Sequence, residues 1–431
     1  MAGLMIAAPA SGSGKTTVTL GLLRALKRRG IKVAPGKAGP DYIDPAFHAA
    51  ASGEPCLNYD PWAMRPELIR ANAGLQQGGD RLAVVEAMMG LFDGAADGKG
   101  SPASLARLMK LAVIFVVDCS RLSHSVAPLV QGFARFDPAV LIAGVILNNV
   151  ASERHERMLR DALHGIGVTV FGVVFRDAGL SLPSRHLGLV QAGEHLELER
   201  FVETAADRVE RGCDVPQMVR AAGLLGQMTG EANIDRLPPL GQRIAVACDA
   251  AFAFAYEHML LGWRRRGAEI SFFSPLAGEG PDANADAVYL PGGYPELHAG
   301  AIAASTGFRN GMADAHARNA LIYGECGGYM VLGDGLTDAD GGRHAMLGLL
   351  PLETSFAERK RHLGYRRLTP LVDFPWQATL TAHEFHYATV VGEGVADRLF
   401  TAEDALGSDL GQVGLRRGRV AGSFMHVIDL A

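Results

Sequence analysis

The sequence predicts an α/β fold, with two doubly wound parallel-sheet domains joined by a helical linker. Three observations predict it. Short apolar runs alternate with longer helical stretches in both halves of the chain. The runs are continuous rather than alternating, as strands covered on both faces require. A charged, strand-poor stretch closed by a proline-rich break separates the halves. The 431 residues are enough for two to four domains of ~100–200 residues each.

In the first half, LMIAAP (4–9), KVAPGK (32–37), RLAVVEAMMG (81–90), AVIFVVD (112–118), LIAGVILN (141–148) and VTVFGVVF (168–175) read as buried strands. Between the first two, Thr16 to Arg29 reads as a helix, with Val18, Leu22, Leu23 and Leu26 at helical spacing. The βαβα rhythm calls for a parallel sheet with helices on both faces. From about Gln191 to Arg236 the chain is charged and helical, and LPPLG (237–241) is a rigid break. Strands resume at 243–249, 268–275, 286–293 and 320–328. The expected organisation is a domain over 1–190, a helical linker over 191–241 and a second domain over 242–431. Each half is long enough to bury its own core.

Composition removes several classes of function. With 41 basic and 46 acidic residues the formal charge is −5, so no positive surplus exists to hold a nucleic acid. Apolar residues at 48% against 20% charged exclude a disordered chain. Cys56, Cys119, Cys213, Cys248 and Cys326 are far apart, odd in number and form no CxxC. That argues against a disulfide framework or a zinc knuckle and favours a reducing cytoplasm. Lysine first occurs at Lys15, so the apolar run Leu4 to Pro9 reads as a first strand rather than a signal peptide. The longest apolar core, Leu111 to Val117, is far below the ~20 residues that span a bilayer.

Pro9-Ala-Ser-Gly-Ser-Gly-Lys-Thr-Thr17 follows the first strand and opens a helix, the context a phosphate-cradling loop needs. Gly12, Ser13 and Gly14 let backbone N–H groups face phosphate oxygens, and the helix N-terminus adds partial positive charge. Lys15 can reach the β- and γ-phosphates, and the Thr16 hydroxyl, followed by Thr17, can ligate Mg²⁺. Pro9 stands where such loops usually carry their first glycine. Glu86 and Asp118 end strands at the C-terminal edge, where open α/β sheets bind ligands. Asp41 and Asp44 in GPDYIDP (39–45) are either metal or substrate groups or turn formers. Asp93 lies in a glycine-flanked loop. Asn148 at the end of GVILNN either reads an adenine edge or caps a loop.

Ile322-Tyr-Gly-Glu-Cys-Gly-Gly-Tyr-Met-Val-Leu332 reads as strand, sharp turn and helix, with Cys326 at the tip. Small neighbours permit the strained backbone that exposes a nucleophile. The helix N-terminus and a histidine are expected to lower the thiol pKa. His426, following a short strand, is the expected base, with His383 and His386 in TAHEFHY (381–387) as rivals. HEFH has the wrong spacing for a helical zinc motif, and that segment is read as structural or substrate-facing. Gly293 in LPGGYPE (290–296) and Gly327 can offer backbone N–H groups as an oxyanion hole.

APASGSGKTT, GPDYIDPAFH, VVEAMMGLFDG, GVILNNV, RHLGLV, LPGGYPELHA, YGECGGYM and HEFHYA occur in that order. The N-terminal half resembles dethiobiotin-synthetase-like P-loop ATPases, and the C-terminal half resembles a class I glutamine amidotransferase domain. Together they resemble the cobyrinic/hydrogenobyrinic acid a,c-diamide synthases of cobalamin biosynthesis. The resemblance implies a ligase that amidates the a and c acetates of a tetrapyrrole (corrin) carboxylic acid, with ATP and glutamine as co-substrates and Mg²⁺ as cofactor. It implies Cys326 as nucleophile, His426 as its base, and Thr16, Asp41 and Glu86 at the metal. Asp44 and Asp93 would orient the substrate carboxylate or a second metal, and Tyr42 would touch the corrin. Ile428 stands where many such domains carry a triad glutamate, and Asp429 follows, so the third member is open, down to a Cys-His dyad. A homodimer is also open. Ni-sirohydrochlorin a,c-diamide synthase and cobyric acid synthase are the neighbouring enzyme readings. A partner-controlled P-loop ATPase switch is the non-enzyme reading, and it leaves the elbow without a purpose.

Overall fold

A computed structural model describes the chain except for residues 1, 77, 79, 181–183, 186, 187, 190, 195, 196 and 224–233. Half of the RHLGLV segment and part of the expected linker therefore lie outside the described residues. The chain divides into two compact units, Met1–Trp62 with Pro66–Ile234, and Ala63–Arg65 with Asp235–Ala431.

The first unit is built on seven strands: β1 (Gly3–Ala7), β2 (Val33–Ala38), β3 (Leu57–Tyr59), β4 (Leu82–Glu86), β5 (Ala112–Asp118), β6 (Ile142–Val150) and β7 (Val170–Phe175). Their order is β3-β2-β4-β1-β5-β6-β7, and every pairing is parallel. β1, β2 and β4 are buried along their whole length, which is why their sequences are unbroken apolar runs. Helix α1 (Lys15–Arg28) follows β1 and is buried almost continuously from Val18 to Leu26.

That burial has a cause the sequence reading did not anticipate. The helix Leu198–Gly212, expected in a linker, packs on α1 within the first unit. A Cβ on Gly21 would sit 2.6 Å from the Ala205 carbonyl oxygen, so the two helices approach at glycine. Phe201, Val202, Ala205, Ala206 and Val209 form the buried face. The charges of this helix are largely ion-paired. Arg24 reaches Glu199 at 2.5 Å and also Glu203, and Arg28 reaches Asp207 and Glu210 at 2.8 Å each.

The second unit carries a ten-stranded sheet. Glu269–Phe273, Arg243–Ala247, Ala287–Leu290, Leu321–Glu325 and Val420–Ser423 lie parallel, in that order. Beyond them the sheet continues antiparallel through Asp409–Arg417, Asp397–Asp404, His362–Pro370, Leu380–His386 and Met425–Leu430. The expectation of a parallel sheet thus holds for the first five strands, and the whole sheet is mixed. A separate four-stranded sheet orders Arg343–Ala345, Gly335–Thr337, Leu352–Ser355 and Thr389–Glu393. Among the described residues, no helix is long and apolar enough to cross a membrane.

Candidate active sites

The phosphate loop leaves β1 and enters α1 through two left-handed glycines, Gly12 at φ 79° and Gly14 at φ 88°. Only glycine adopts this region without strain. A Cβ on Gly14 would also meet the Asn148 Nδ2 at 2.1 Å. Asn148 donates from that nitrogen to the Ser13 carbonyl at 2.9 Å. That hydrogen bond fits the loop-cap reading of Asn148, and the residue also lines the cleft over the loop.

A cleft of about 460 Å³ opens over this loop, lined by Gly12, Gly14, Lys15, Thr16 and Thr17, by Lys37 and Glu86 from neighbouring strands, and by Asp41 and Asp44 from the turn and helix start after β2. The Lys15 ammonium donates to the carbonyls of Met89 at 2.6 Å and Ala10 at 3.2 Å. Burial pushes its pKa down, with Glu86 opposing. Thr16 Oγ1 donates to Glu86 Oε1 at 2.8 Å, so two of the expected metal groups touch.

Two residues that sequence reasoning missed complete the cluster. Lys37, at the end of β2, donates to Glu86 Oε1 at 2.9 Å and also to Asp44, and lies 3.9 Å from Asp41 Oδ2. His48 Nε2 lies 2.7 Å from Glu86 Oε2. Burial alone would raise the Glu86 pKa, but Lys37 and His48 hold it well below the carboxylate range. Asp44 is pushed up to about 6 by burial and by Asp41, against the pull of Lys37. The signal was present in the sequence: a lysine ending an apolar strand, and a histidine four residues after Asp44, inside the same motif.

Asp41 serves the turn as well as the cleft, since its Oδ1 accepts from the backbone N–H groups of Ile43 and Asp44 at 2.8 and 3.0 Å. Tyr42 is half-buried in that turn and does not line the cleft. Asp93 is exposed and accepts from Gly90 N at 2.8 Å. Asp118 is held by Ser120 and Asn149 and is not a cleft residue.

In the second unit, Cys326 sits between the strand Leu321–Glu325 and the helix Gly327–Leu332 at φ 47°, ψ −107°. A non-glycine residue held there stores on the order of 1–3 kcal/mol of strain. Its N–H donates to the Ser423 carbonyl at 2.8 Å, which pins the elbow to the strand Val420–Ser423. His426 follows on the next strand, Met425–Leu430. The two residues converge on Gly292. A Cβ there would lie 2.4 Å from His426 Cε1, 3.1 Å from His426 Nε2 and 3.2 Å from Cys326 Cβ. Gly293 and Gly327 are neighbours too, since a Cβ on Gly327 would lie 3.1 Å from Gly293 N.

The thiol does not have the lowered pKa expected of it. Cys326 is only 3% exposed, and burial pushes its pKa up, with Glu296 adding to the shift. His426 is held well below its usual value by burial and then by His383 and His386. The resting pair is therefore neutral thiol and neutral imidazole. Desolvation outweighs a helix N-terminus of six residues.

The sequence leaves the third member open between Asp429 and none. Asp429 is engaged by Arg65, accepting from its N–H at 2.9 Å and its Nε at 3.0 Å. A carboxylate close to the His426 ring is that of Glu325, with Oε2 at 3.9 Å from Nδ1, and Glu384 also favours the ring's charged form. Glu325 accepts from Tyr289 Oη at 2.7 Å and from Val427 N at 3.1 Å. Burial raises its pKa to about 7. The TAHEFHY segment lies against the elbow: His383 is the cross-strand partner of His426, and the Phe385 carbonyl is 3.8 Å from Cys326 Sγ. Glu384 is held by Arg366 at 2.7 Å and His386 at 3.1 Å.

Residues 4–190 match the CobQ/CobB/MinD/ParA nucleotide binding domain family, and residues 243–431 match the CobB/CobQ-like glutamine amidotransferase domain family. Hydrogenobyrinate a,c-diamide synthase of a Sinorhizobium species is 67% identical over 100% of this chain and 99% of its own length. The enzyme of the same name from Rhizobium meliloti (strain 1021) is 65% identical, covering 100% of both chains. That from Brucella anthropi is 63% identical over 100% of this chain and 99% of its own. The chain belongs to the hydrogenobyrinate a,c-diamide synthase family. As a member of that family it is a ligase that couples a nucleotide-binding domain to a glutamine amidotransferase domain, and the two sites fall one in each.

Proposed function

We propose that this chain converts the a and c acetates of hydrogenobyrinic acid to amides, using ATP-Mg²⁺ and glutamine in the cytoplasm. The observation that carries the reading is the meeting of Cys326 and His426 over Gly292 in a chain that also holds an oxygen-lined phosphate cleft.

In the second unit, Cys326 Sγ attacks the side-chain carbonyl carbon of glutamine while its proton passes to His426. Starting from a neutral pair, the proton moves as the carbon–sulfur bond forms. The N–H groups of Gly293 and Gly327 receive the developing oxyanion. His426 returns the proton to the leaving nitrogen, ammonia departs, and water hydrolyses the thioester to glutamate. Glu325 faces the imidazolium formed in between.

In the first unit, the loop N–H groups and Lys15 bind the β- and γ-phosphates. The donor set suits magnesium, since Thr16, Asp41 and Glu86 offer only hydroxyl and carboxylate oxygens to one cleft. Those three would hold the ion, which supplies charge neutralisation to the transferred phosphoryl group. Lys37 and His48 keep Glu86 ionised. A substrate carboxylate oxygen, oriented by Asp44 and Asp93, attacks the γ-phosphorus, and ADP leaves. Ammonia then attacks the acyl phosphate carbon, phosphate leaves, and the nitrogen loses a proton to give the amide.

Incubation with hydrogenobyrinic acid, ATP, Mg²⁺ and glutamine tests the reading. The expected product carries two amides in place of two carboxyls by mass. An unchanged acid, with glutaminase and ATPase both intact, would overturn it.

A further inference from the structure

HEFH has the wrong spacing for a metal-binding helix, but the segment is a strand, Leu380–His386. Along a strand alternate residues share one face, so Glu384 and His386 stand side by side. His362 is the direct cross-strand partner of His386 on the neighbouring strand His362–Pro370. Among the described residues, these three bring a carboxylate oxygen and two imidazole nitrogens within 4.8 Å of one another. None of the steps above uses them.

The surroundings of the cluster orient its donors. The buried His386 ring is sandwiched between those of His362 and Phe424, with centroids 4.6 and 4.0 Å away. Its Nδ1 lies 3.1 Å from the Ala388 carbonyl oxygen, which can only accept, so the ring proton belongs on Nδ1. Nε2 then presents a lone pair to Glu384 Oε1 at 3.1 Å, which is an acceptor too. Two acceptors that close call for a cation between them. Histidines that ligate a metal commonly donate their other N–H to a backbone carbonyl, and ligating carboxylates are themselves hydrogen-bonded. Both supports are present here. Arg366 holds Glu384 Oε2 through Nε at 2.8 Å and Nη2 at 2.7 Å and leaves Oε1 to face His386.

The Arg366 charge does not bar an ion. Neutral imidazoles alone hold zinc in the three-histidine site of carbonic anhydrase. In a tetrahedral zinc site with bonds of about 2.0–2.2 Å, donors stand roughly 3.3–3.6 Å apart. Glu384 and His386 are already near that spacing. His362, half-buried, closes the rest by a rotation of its side chain.

We propose that His362, Glu384 and His386 form a site for one zinc-class divalent ion, with water in the fourth position. Two imidazoles and one carboxylate are donors that suit zinc rather than magnesium. The ion ties two strands together beside the elbow, since Phe385, between two of the ligands, places its carbonyl 3.8 Å from Cys326 Sγ. The proposal does not depend on which acid the chain amidates.

Zinc binding to the full chain tests this, measured by equilibrium dialysis with Mg²⁺ in excess to fill the oxygen-lined cleft of the first unit. One zinc per chain is expected, with binding at least tenfold weaker in His362→Ala. Co²⁺ in place of zinc reports the donors. Nitrogen and oxygen ligands give visible bands only, whereas a thiolate adds an intense near-ultraviolet band. Should His362→Ala lose its circular-dichroism signal, His362→Gln carries the same expectation. The absence of bound zinc overturns the proposal and leaves the Glu384–His386 contact to a proton. A thiolate band overturns it too, by putting the ion on Cys326 or on the exposed Cys248. So does a folded variant at position 362 that binds zinc as the wild type does.

Discussion

Glu325 and His426 face each other across 3.9 Å in the interior of the second unit, both fully buried. At an effective dielectric of about 20, a unit charge pair at that separation is worth roughly 4 kcal/mol. That attraction exists only when the imidazole is protonated and the carboxylate ionised, the state that the proposed thiol attack creates.

Glu325→Gln is therefore expected to lower glutaminase kcat by about 100-fold, short of the full Coulomb value because Tyr289 and Val427 still polarise the site. Burial raises the Glu325 pKa to about 7. The useful ionised form appears as pH rises through that value. Wild-type glutaminase should climb with pH near 7, and the limb should vanish in Glu325→Gln. A steady-state pH profile of both proteins checks this.

Cys326→Ser should abolish glutamine-dependent amidation and leave ammonia-dependent amidation, measured with ammonium chloride at alkaline pH. In the resting wild-type protein the raised thiol pKa predicts slow alkylation by iodoacetamide, still accelerating at the highest pH the fold tolerates. A plateau near pH 6 would mean a stable thiolate and would contradict the buried neutral pair.

Gly292→Ala places a methyl 2.4 Å from His426 Cε1. The ring must shift, and misplacement of a reacting group by about 1 Å can cost 10²-fold. Glutaminase should fall by about that factor. ATP hydrolysis and ammonia-dependent amidation should be unchanged.

Lys37→Met removes the cation held by both Glu86 and Asp44. Breaking a buried ion pair by deleting one partner costs about 3–5 kcal/mol. The first unit should unfold at lower urea, and nucleotide turnover should be lost. Lys37→Met with Glu86→Gln should recover part of the stability and none of the turnover, read by urea melts of the pair.

The sequence made the central strands legible because strands buried on both faces are unbroken apolar runs, as in β1 and β4. Much of the antiparallel half of the second sheet escaped because three of its strands, His362–Pro370, Asp397–Asp404 and Asp409–Arg417, are partly solvated. Asp409–Arg417 is exposed over its first four residues and carries glycines, which reads as loop. The phosphate loop and the elbow were legible because their residues are contiguous. Glu325 was not, although it adjoins Cys326, because its closeness to His426 comes from strand pairing between distant segments. The thiol pKa was misjudged for a related reason: a helix start can be read locally, whereas burial depends on the whole fold.

The pairing of α1 with Leu198–Gly212 decides where this protein can be divided. Ending the polypeptide at 190 would strip the outer cover from α1 and leave Arg24, 6% exposed in the intact unit, facing water with no acid beside it. An isolated nucleotide-binding fragment should be cut after Ala222, keeping both helices, if the face of α1 is to stay covered.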